Sequence, residues 1–545
     1  MKLVSLKILG DDFRSLTSNK LYSFNTNYRS NRLSTKILAG LNGSGKSNLL
    51  ELLAEIFYYL ELYHMEGTTE EYKKSKNLGF EIEYYLPSNL TGRVVDMTNE
   101  NWGSDIFDEH LHIRIRKPLG ELPEFSFRKT ADASFFVFDY ETEALLPRKI
   151  IAYSSGQNEL LSNPFYKIRH HYFEELNKKE EANFNNRLFF LSYSTNFSIY
   201  IANQLLAEKE KLNHLNEIFD TEGLDSFRIT INLLNYRKNP IELTKYQAER
   251  IEYLKSCATS WTERFESHKS KQHILILDYL VKDSTVKAFQ SKFETPFELF
   301  KAFYELESLN IHIDPSDHRS LIRTGTKSLN ISEEIPKPDP DRLAFRLEKI
   351  KIRKRLSNGE TKSIYYKQLS DGEHQLNEIL GSLLMVEEDG CLYLFDEPDT
   401  HFNPKWRAKL IKLFNYLAAK KNEVYNQTKT VRKHEILLTT HSPYVISDSD
   451  RNDVYLFKKT ENGVSIGNPD SQTYGASIGF LNEEIFERDK SISDMADWEL
   501  SEIKEEIVSS ENLSDLKKKL TRFGDSIEKF DAYNLMKKIE KGDSE

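Results

Sequence analysis

The sequence predicts an α/β fold on a mostly parallel sheet, with a compact helical insertion and a helical C-terminal tail. Three observations predict it. Short apolar runs alternate with amphipathic helical stretches in the N-terminal part and again after about residue 340, the pattern of strands covered by helices. A glycine-rich turn at 40–45 stands between one such run and a long helical segment. From about 160 to 340 the texture changes to Leu, Phe and Tyr at spacings of three and four.

Taken in order, residues 2–9 (KLVSLKIL) alternate apolar and polar and predict a half-buried strand. Residues 35–39 predict a buried strand. Residues 46–64 predict a helix through Leu49, Leu50, Leu53, Ile56, Phe57 and Leu60. Strand-like runs follow at 79–86, 111–116, 134–139 and 149–153. Stretches such as 185–209 and 286–305 predict helices, and without sustained heptads they make a compact insertion rather than a long coiled coil. Three prolines in 332–341 predict a connection. Strands are expected at 343–355, 362–366, 391–395 and 435–439, and helices at 372–385 and 405–419. The chain beyond 482 reads as charged and helical. These shifts divide it into 1–160, 161–340, 341–481 and 482–545.

At 545 residues the chain is long enough for several structural units, and 39% hydrophobic residues with 12% aromatic supply real cores. Only 15 Pro and 22 Gly argue against a largely disordered chain. No apolar run approaches the roughly 20 residues that cross a bilayer, so a membrane-embedded role is excluded. The opening MKLVSLKILGDDF lacks the apolar core and cleavage site of a signal peptide. Two cysteines, Cys257 and Cys391, make neither a disulfide framework nor a zinc site. A reducing, cytoplasmic setting is expected. The net charge of -10 gives no global nucleic-acid footprint, so such contacts need a local patch. Strand alternation puts Lys349, Lys351, Arg353 and Arg355 on one face, the best candidate for one.

Gly40-Leu41-Asn42-Gly43-Ser44-Gly45-Lys46-Ser47 fits the P-loop pattern between a strand and a helix. Its glycines let backbone N–H groups wrap phosphates at a helix N-terminus. Lys46 is expected to reach the β and γ phosphates and Ser47 to offer its hydroxyl to Mg²⁺. The apolar run Cys391–Phe395 ends in Asp396-Glu397. Adjacent carboxylates at a strand end suit Mg²⁺ binding by Asp396 and activation of the attacking water by Glu397.

Leu369-Ser370-Asp371-Gly372-Glu373-His374-Gln375, shortly before that strand, is close to an LSGGEQ signature, and here the chain resembles the ABC-type ATPases, with motifs in their order. The resemblance implies an ABC-type ATPase head that binds ATP with Mg²⁺. It makes Gln157, after the run Ala152–Gly156, the glutamine-loop residue and a further Mg²⁺ contact. It makes His441, in Leu437–Pro443, the switch histidine at the γ-phosphate. It also implies that Ser370, Asp371, Gly372, Glu373 and Gln375 dock on nucleotide held by a second subunit, so composite sites need at least a homodimer. Two positions depart from the pattern. Asp371 replaces the first signature glycine and is expected to N-cap the following helix. Asn403 stands where many members carry the D-loop aspartate.

More than 300 residues separate P-loop and signature. The phrases LKILGDDFRSL, GLNGSGKSNLLELLAEIF, YSSGQNE, LSDGEHQL, FDEPDTHFNP and TTHSPYVIS resemble RecF/SMC-like ATPases of bacterial defence, in particular the PtuA family of Septu systems, including retron-associated forms. That resemblance covers roughly 1–60, 148–160 and 362–445. It implies a homodimer or larger homo-oligomer and a PtuB-like HNH endonuclease as partner. It further implies nucleic acid as the target and, in retron versions, a reverse transcriptase with its RNA–DNA product. Two alternatives are an OLD-type nuclease with its own Toprim site and a RecF-like DNA-repair ATPase. Asp448-Ser449-Asp450 lies in a polar loop and the tail is helical, so cutting is expected in trans.

Overall fold

The computed structural model describes residues 1–24, 33–87, 110–129, 133–156, 159–176, 186–234, 239–266, 272–313, 342–425, 428–461, 463–488, 490–509 and 513–540. With strands numbered in chain order, its centre is a seven-stranded sheet of β3 (Ser34–Ala39), β8 (Ile150–Ser154), β9 (Leu188–Leu191), β15 (Leu392–Asp396), β18 (Glu435–Thr439), β19 (Val454–Thr460) and β20 (Gly463–Gly467). The order is β20-β19-β3-β18-β15-β8-β9, parallel throughout except for the β19–β20 hairpin. Strands β15 and β18 are buried at every residue, which explains why they read as unbroken apolar runs: both faces of the sheet are covered.

Alternate residues of each strand serve different cores. Leu392, Leu394 and Leu437 join the core around the helix Lys46–His64. Tyr393, Phe395, Ile436 and Leu438 join the core around the helix Asp371–Met385. The phosphate-loop helix and the signature helix therefore lie on opposite faces of one sheet, and both begin near its carboxyl edge.

A six-stranded antiparallel sheet closes over the first core: β1 (Lys2–Ile8), β2 (Leu21–Ser23), β4 (Phe80–Pro87), β5 (His110–Lys117), β6 (Glu124–Arg128) and β7 (Phe136–Val137), ordered β2-β1-β4-β5-β6-β7. A five-stranded antiparallel sheet lies on the signature side: β10 (Thr221–Asn232), β11 (Ser260–Glu266), β12 (Gln272–Leu280), β13 (Phe345–Arg355) and β14 (Thr361–Tyr365), ordered β11-β12-β10-β13-β14. A further hairpin pairs β16 (Ala419–Tyr425) with β17 (Thr428–Val431).

Among the described residues of 161–340 helix exceeds strand, and the strands present are additional to the expected helices. The segment holds helices such as Tyr193–Leu206 and Pro296–Ser308, but also β9 to β12. Strand β9 completes the parallel sheet beside β8, with Ile150 opposite Leu188. A four-residue apolar run just ahead of a helix has no periodicity of its own, which is why 185–209 reads as one helix. The tail carries helices Asp494–Ser509, Leu513–Leu520 and Ile527–Glu540, which share a small core of Leu500, Ile503, Ile507, Leu516, Leu520, Ala532 and Met536. Among the described residues no helix is long and apolar enough to cross a membrane.

Candidate nucleotide-binding site

The phosphate loop leaves the carboxyl end of β3. Gly40 sits at φ 138°, and a Cβ there would lie 2.4 Å from the Phe457 carbonyl oxygen. Gly45 sits at φ 98°, and a Cβ there would lie 2.6 Å from Ser15 Oγ. Neither position admits a side chain. Lys46 is buried, and its Nζ donates to the carbonyl oxygens of Gly40 and Leu41 at 3.0 Å each. Burial lowers its pKa, while Glu397 and Asp396 oppose that. A triphosphate in the loop would take over the bonds that Lys46 now makes to its own backbone.

Asp396 ends β15 and is buried. One carboxylate oxygen, Oδ1, accepts from Ser47 Oγ at 2.8 Å and from Thr439 Oγ1 at 2.7 Å. Burial pushes its carboxyl up, and the two hydroxyls restrain the shift. Hydroxyl and carboxylate oxygens on a common centre suit a hard divalent cation, so Ser47 and Asp396 fit Mg²⁺.

Glu397 follows at φ 50°, a left-handed backbone that turns its carboxylate out of the strand line. Its N–H donates to Thr439 Oγ1 at 2.9 Å. Its half-exposed side chain stands 3.6 Å from His441 Nε2. Burial, then the Lys46 charge, lowers the His441 pKa against the opposing charge of Asp396, and this lowering favours the neutral imidazole. The arrangement can position a water beside a carboxylate, with a neutral imidazole close by. Gln157 lies outside the described residues. Its approach is visible: Ser154 pairs with Asp396 across β8 and β15, and Ser155 N donates to the Asp396 carbonyl at 3.1 Å.

At the signature, the helix N-cap is Ser370 and not Asp371. Ser370 has extended backbone, and its Oγ accepts from Glu373 N at 3.3 Å. Glu373 Oε2 returns to Ser370 N at 2.8 Å and to its hydroxyl at 2.9 Å, a capping box. Asp371 is the first helical residue, with its carboxylate at the positive end of the helix dipole. Gly372 is buried, and a Cβ there would lie 2.7 Å from the His401 carbonyl oxygen. Gln375 is buried too. It accepts from His401 N at 2.9 Å and donates to Tyr153 Oη at 3.0 Å. Ser370 and Asp371 are exposed, whereas Gly372 and Gln375 pack within their own chain. Asn403 N-caps the short helix Pro404–Arg407 by accepting from Trp406 N at 3.0 Å.

The sequence reading missed Thr439, Thr440 and Asp399. Thr439 bridges the two acidic residues, and Thr440 Oγ1 donates to buried Asp399 at 3.0 Å. Polar threonines ending the apolar run of β18 were the available signal. The basic face of β13 divides. Arg353 donates to the carbonyls of Leu224 and Glu222 at 3.2 Å each and stands 3.6 Å from Asp225, and Arg355 is 4.0 Å from Glu222. Arg353 is engaged within the sheet, whereas Arg355 is exposed and stands only at the edge of ion-pair range. Lys349 is exposed, and Lys351 stands over the Tyr365 ring.

Residues 241–447 match a family model described as "AAA domain, putative AbiEii toxin, Type IV TA system". The matched stretch contains Ser370, Asp396, Glu397 and His441, while Lys46 and Ser47 reach the same centre from outside it through the Ser47–Asp396 bond. The match indicates a P-loop ATPase of the ABC/AAA kind, and the parallel sheet with its phosphate loop agrees. Protein ea59 of Escherichia phage lambda is 25% identical over 122 residues, or 22% of this chain. The matched stretch spans about a fifth of that relative, 21% of its length.

Proposed function

We propose that this chain is the ATP-binding and ATP-hydrolysing regulatory subunit of an anti-phage defence system, of the Septu kind, and that it controls a partner HNH nuclease in the cytoplasm. The observation that supports it is the continuous set Ser47–Asp396–Thr439–Glu397, with His441 beside Glu397. In this reading Lys46 holds the β and γ phosphates, and Ser47 and Asp396, joined by Gln157, hold Mg²⁺. Mg²⁺ held there would supply positive charge to offset that of the transferred phosphoryl group. Glu397 orients the attacking water and takes its proton, and His441 hydrogen-bonds the γ-phosphate oxygen or that water. Exposed Ser370 and Asp371 meet the nucleotide of a second copy, in a homodimer or larger homo-oligomer.

An OLD-type cutting site would draw on Asp448 and Asp450. Here Asp450 caps the turn Arg451–Asp453, accepting from Asn452 N at 3.0 Å and from Gln472 Nε2 at 3.1 Å, a structural use. Purified chain with Mg²⁺ or Mn²⁺ is expected to hydrolyse ATP and cut neither DNA nor RNA. Addition of the HNH protein encoded alongside is expected to give cleavage that depends on nucleotide. Metal-dependent cleavage by this chain alone, kept in Lys46→Ala and lost when Asp448→Ala and Asp450→Ala are combined, would overturn the proposal in favour of the OLD-type reading.

A further inference from the structure

We infer that the five-stranded sheet carries a second ligand site, a groove for unpaired nucleotides of DNA or RNA built on Tyr365, Lys349 and Lys351. The inference deepens the proposed function in naming what the head binds besides ATP; its binding half stands without that reading, and its coupling half rests on it.

The groove originates in a bulge. Lys351 pairs with Ser226, but the next pair along is Glu348 with Arg228, so Lys349 and Ile350 together stand opposite Phe227. Lys349 takes φ 54° there, a left-handed backbone on a non-glycine residue within a strand. Bulges re-aim side chains. This one opens the sheet next to Tyr365, which is 47% exposed. Two clefts of about 300 Å³ each meet at this point, and Lys349 and Tyr365 line both. Arg228 and Lys351 line the first, and Lys367 the second. Lys351 Nζ lies 5.3 Å from the centre of the Tyr365 ring.

The charges explain the choice of ligand. Four cations line the two clefts, against two carboxylates, Asp278 and Glu348. Asp278 is neutralised by one of the four cations, and Glu348 is held by a hydroxyl. Arg228 holds Asp278 through two bonds of 2.7 Å, and Thr230 Oγ1 donates to Glu348 at 2.5 Å. Lys349 and Lys351 stand beside one exposed aromatic ring, and Lys367, whose ammonium also stands over Phe197, lines the second cleft, on a chain whose net charge is -10. Cations for a phosphate backbone beside a ring for base stacking are the two components of single-strand recognition. A duplex keeps its bases stacked inside and leaves the ring unused.

The groove also adjoins the signature. Strand β14 ends at Tyr365, whose N–H donates to Gln368 Oε1 at 2.9 Å, and a single turn leads on to Ser370. From β13, Lys354 Nζ donates to Glu373 Oε1 at 2.5 Å, while Glu373 Oε2 holds the Ser370 hydroxyl. Strand β13 therefore grips the Ser370 cap through Lys354 and Glu373, and β14 leads into it through one turn, so an occupied groove is expected to change ATP turnover.

The test is fluorescence anisotropy with short fluorescein-labelled oligo-dT, oligo-U and a hairpin duplex, using the full chain and its Lys46→Ala variant. Both proteins should bind the single strands, and the two oligonucleotides separate DNA from RNA as the source. Tyr365→Ala should weaken binding about 10-fold, in line with loss of one stacked base, and Tyr365→Phe should restore it. Combined Lys349→Ala and Lys351→Ala should lower the salt slope of log K by about 1.4. Lys518→Ala, at an exposed lysine of the tail, should leave binding unchanged, and melting temperatures should show each variant folded. Equal affinity for the duplex, or affinity indifferent to Tyr365→Ala and to the lysine pair in folded protein, would overturn the groove. Intact oligonucleotide binding without any ATP turnover would count against the proposed function and leave the groove standing.

Discussion

Thr439 offers the sharpest test of the site, because one buried hydroxyl serves both acidic residues. It donates to Asp396 Oδ1 at 2.7 Å and accepts from Glu397 N at 2.9 Å. Thr439→Val keeps the shape of the fully buried side chain and removes both bonds. Asp396 retains Ser47, but the Glu397 N–H loses its partner. A buried donor left unpaired costs about 1–3 kcal/mol. Here the cost falls on a residue already held in a left-handed conformation at φ 50°, so it is taken up by moving the carboxylate that faces His441. At 1.36 kcal/mol per tenfold in rate, the drop in kcat is roughly 5- to 150-fold. The KM for ATP should change little, since Lys46 and its loop are untouched. The Thr439 hydroxyl also favours the charged form of Asp396, so its loss should move the Mg²⁺ requirement to higher pH. Steady-state phosphate release against ATP and Mg²⁺ measures all three, well below the melting temperature of each variant. Thr439→Ser should keep most of the activity. A Thr439→Val enzyme within twofold of wild-type kcat, or a Thr439→Ser enzyme as impaired as the valine variant, would refute the bridging role.

Lys46→Ala should abolish ATP binding in equilibrium titration, whereas Glu397→Gln should bind ATP and retain it with turnover lowered at least about 100-fold, the range of a lost general base. Because burial and Lys46 lower the His441 pKa, the acid limb of kcat should lie below the ordinary histidine value of 6.5, and His441→Gln should remove that limb from the pH profile. Glu378, inside the signature helix, is raised to about 8 by burial. Its folded pKa exceeds its unfolded one, so its contribution is full below the unfolded value and declines as pH rises through the folded one. Glu378→Gln should therefore melt like wild type near pH 5 and progressively higher up to about pH 8; identical melting curves at both pH values would refute this.

The parts of this molecule most legible in sequence were those where a single physical rule acts alone. Strands β15 and β18 are buried on both faces and read as apolar runs, and β3 with its loop reads through its glycines. Motif chemistry brings Ser47 and Asp396 to one place, and their side chains meet in a 2.8 Å hydrogen bond. Where two rules compete, the reading was poorer. Ser370 and Asp371 are both good capping residues, and only the reach from Ser370 to Glu373 decides between them. Alternation along β13 groups four cations, but carbonyls of β10, 129 and 131 residues away, take Arg353. Strand β9 was hidden because its parallel partner, β8, is distant in sequence, and pairing of that kind leaves no local trace.

The signature segment bears on catalysis in two ways that mutation must separate. Its helix is joined to the turn after the acidic pair within one chain: Gly372 lies against the His401 carbonyl, His401 N donates to Gln375, and Gln375 Nε2 reaches the Glu397 carbonyl at 3.5 Å. Any side chain at 372 would push this turn, and with it Glu397, inside the same subunit. Loss of turnover in a Gly372 variant is therefore explained without a second copy of the chain. Ser370 and Asp371 face outward, and among the described residues the Ser370 hydroxyl bonds to its own cap, so these two positions are where the proposed docking between subunits can be tested. Ser370→Ala removes a hydroxyl while Glu373 still holds the Ser370 backbone N–H, so it keeps half of the capping box and leaves Glu397 in place. A defect in that variant which appears only at protein concentrations where subunits associate would belong to the interface, and one present in the dilute monomer would belong to the cap.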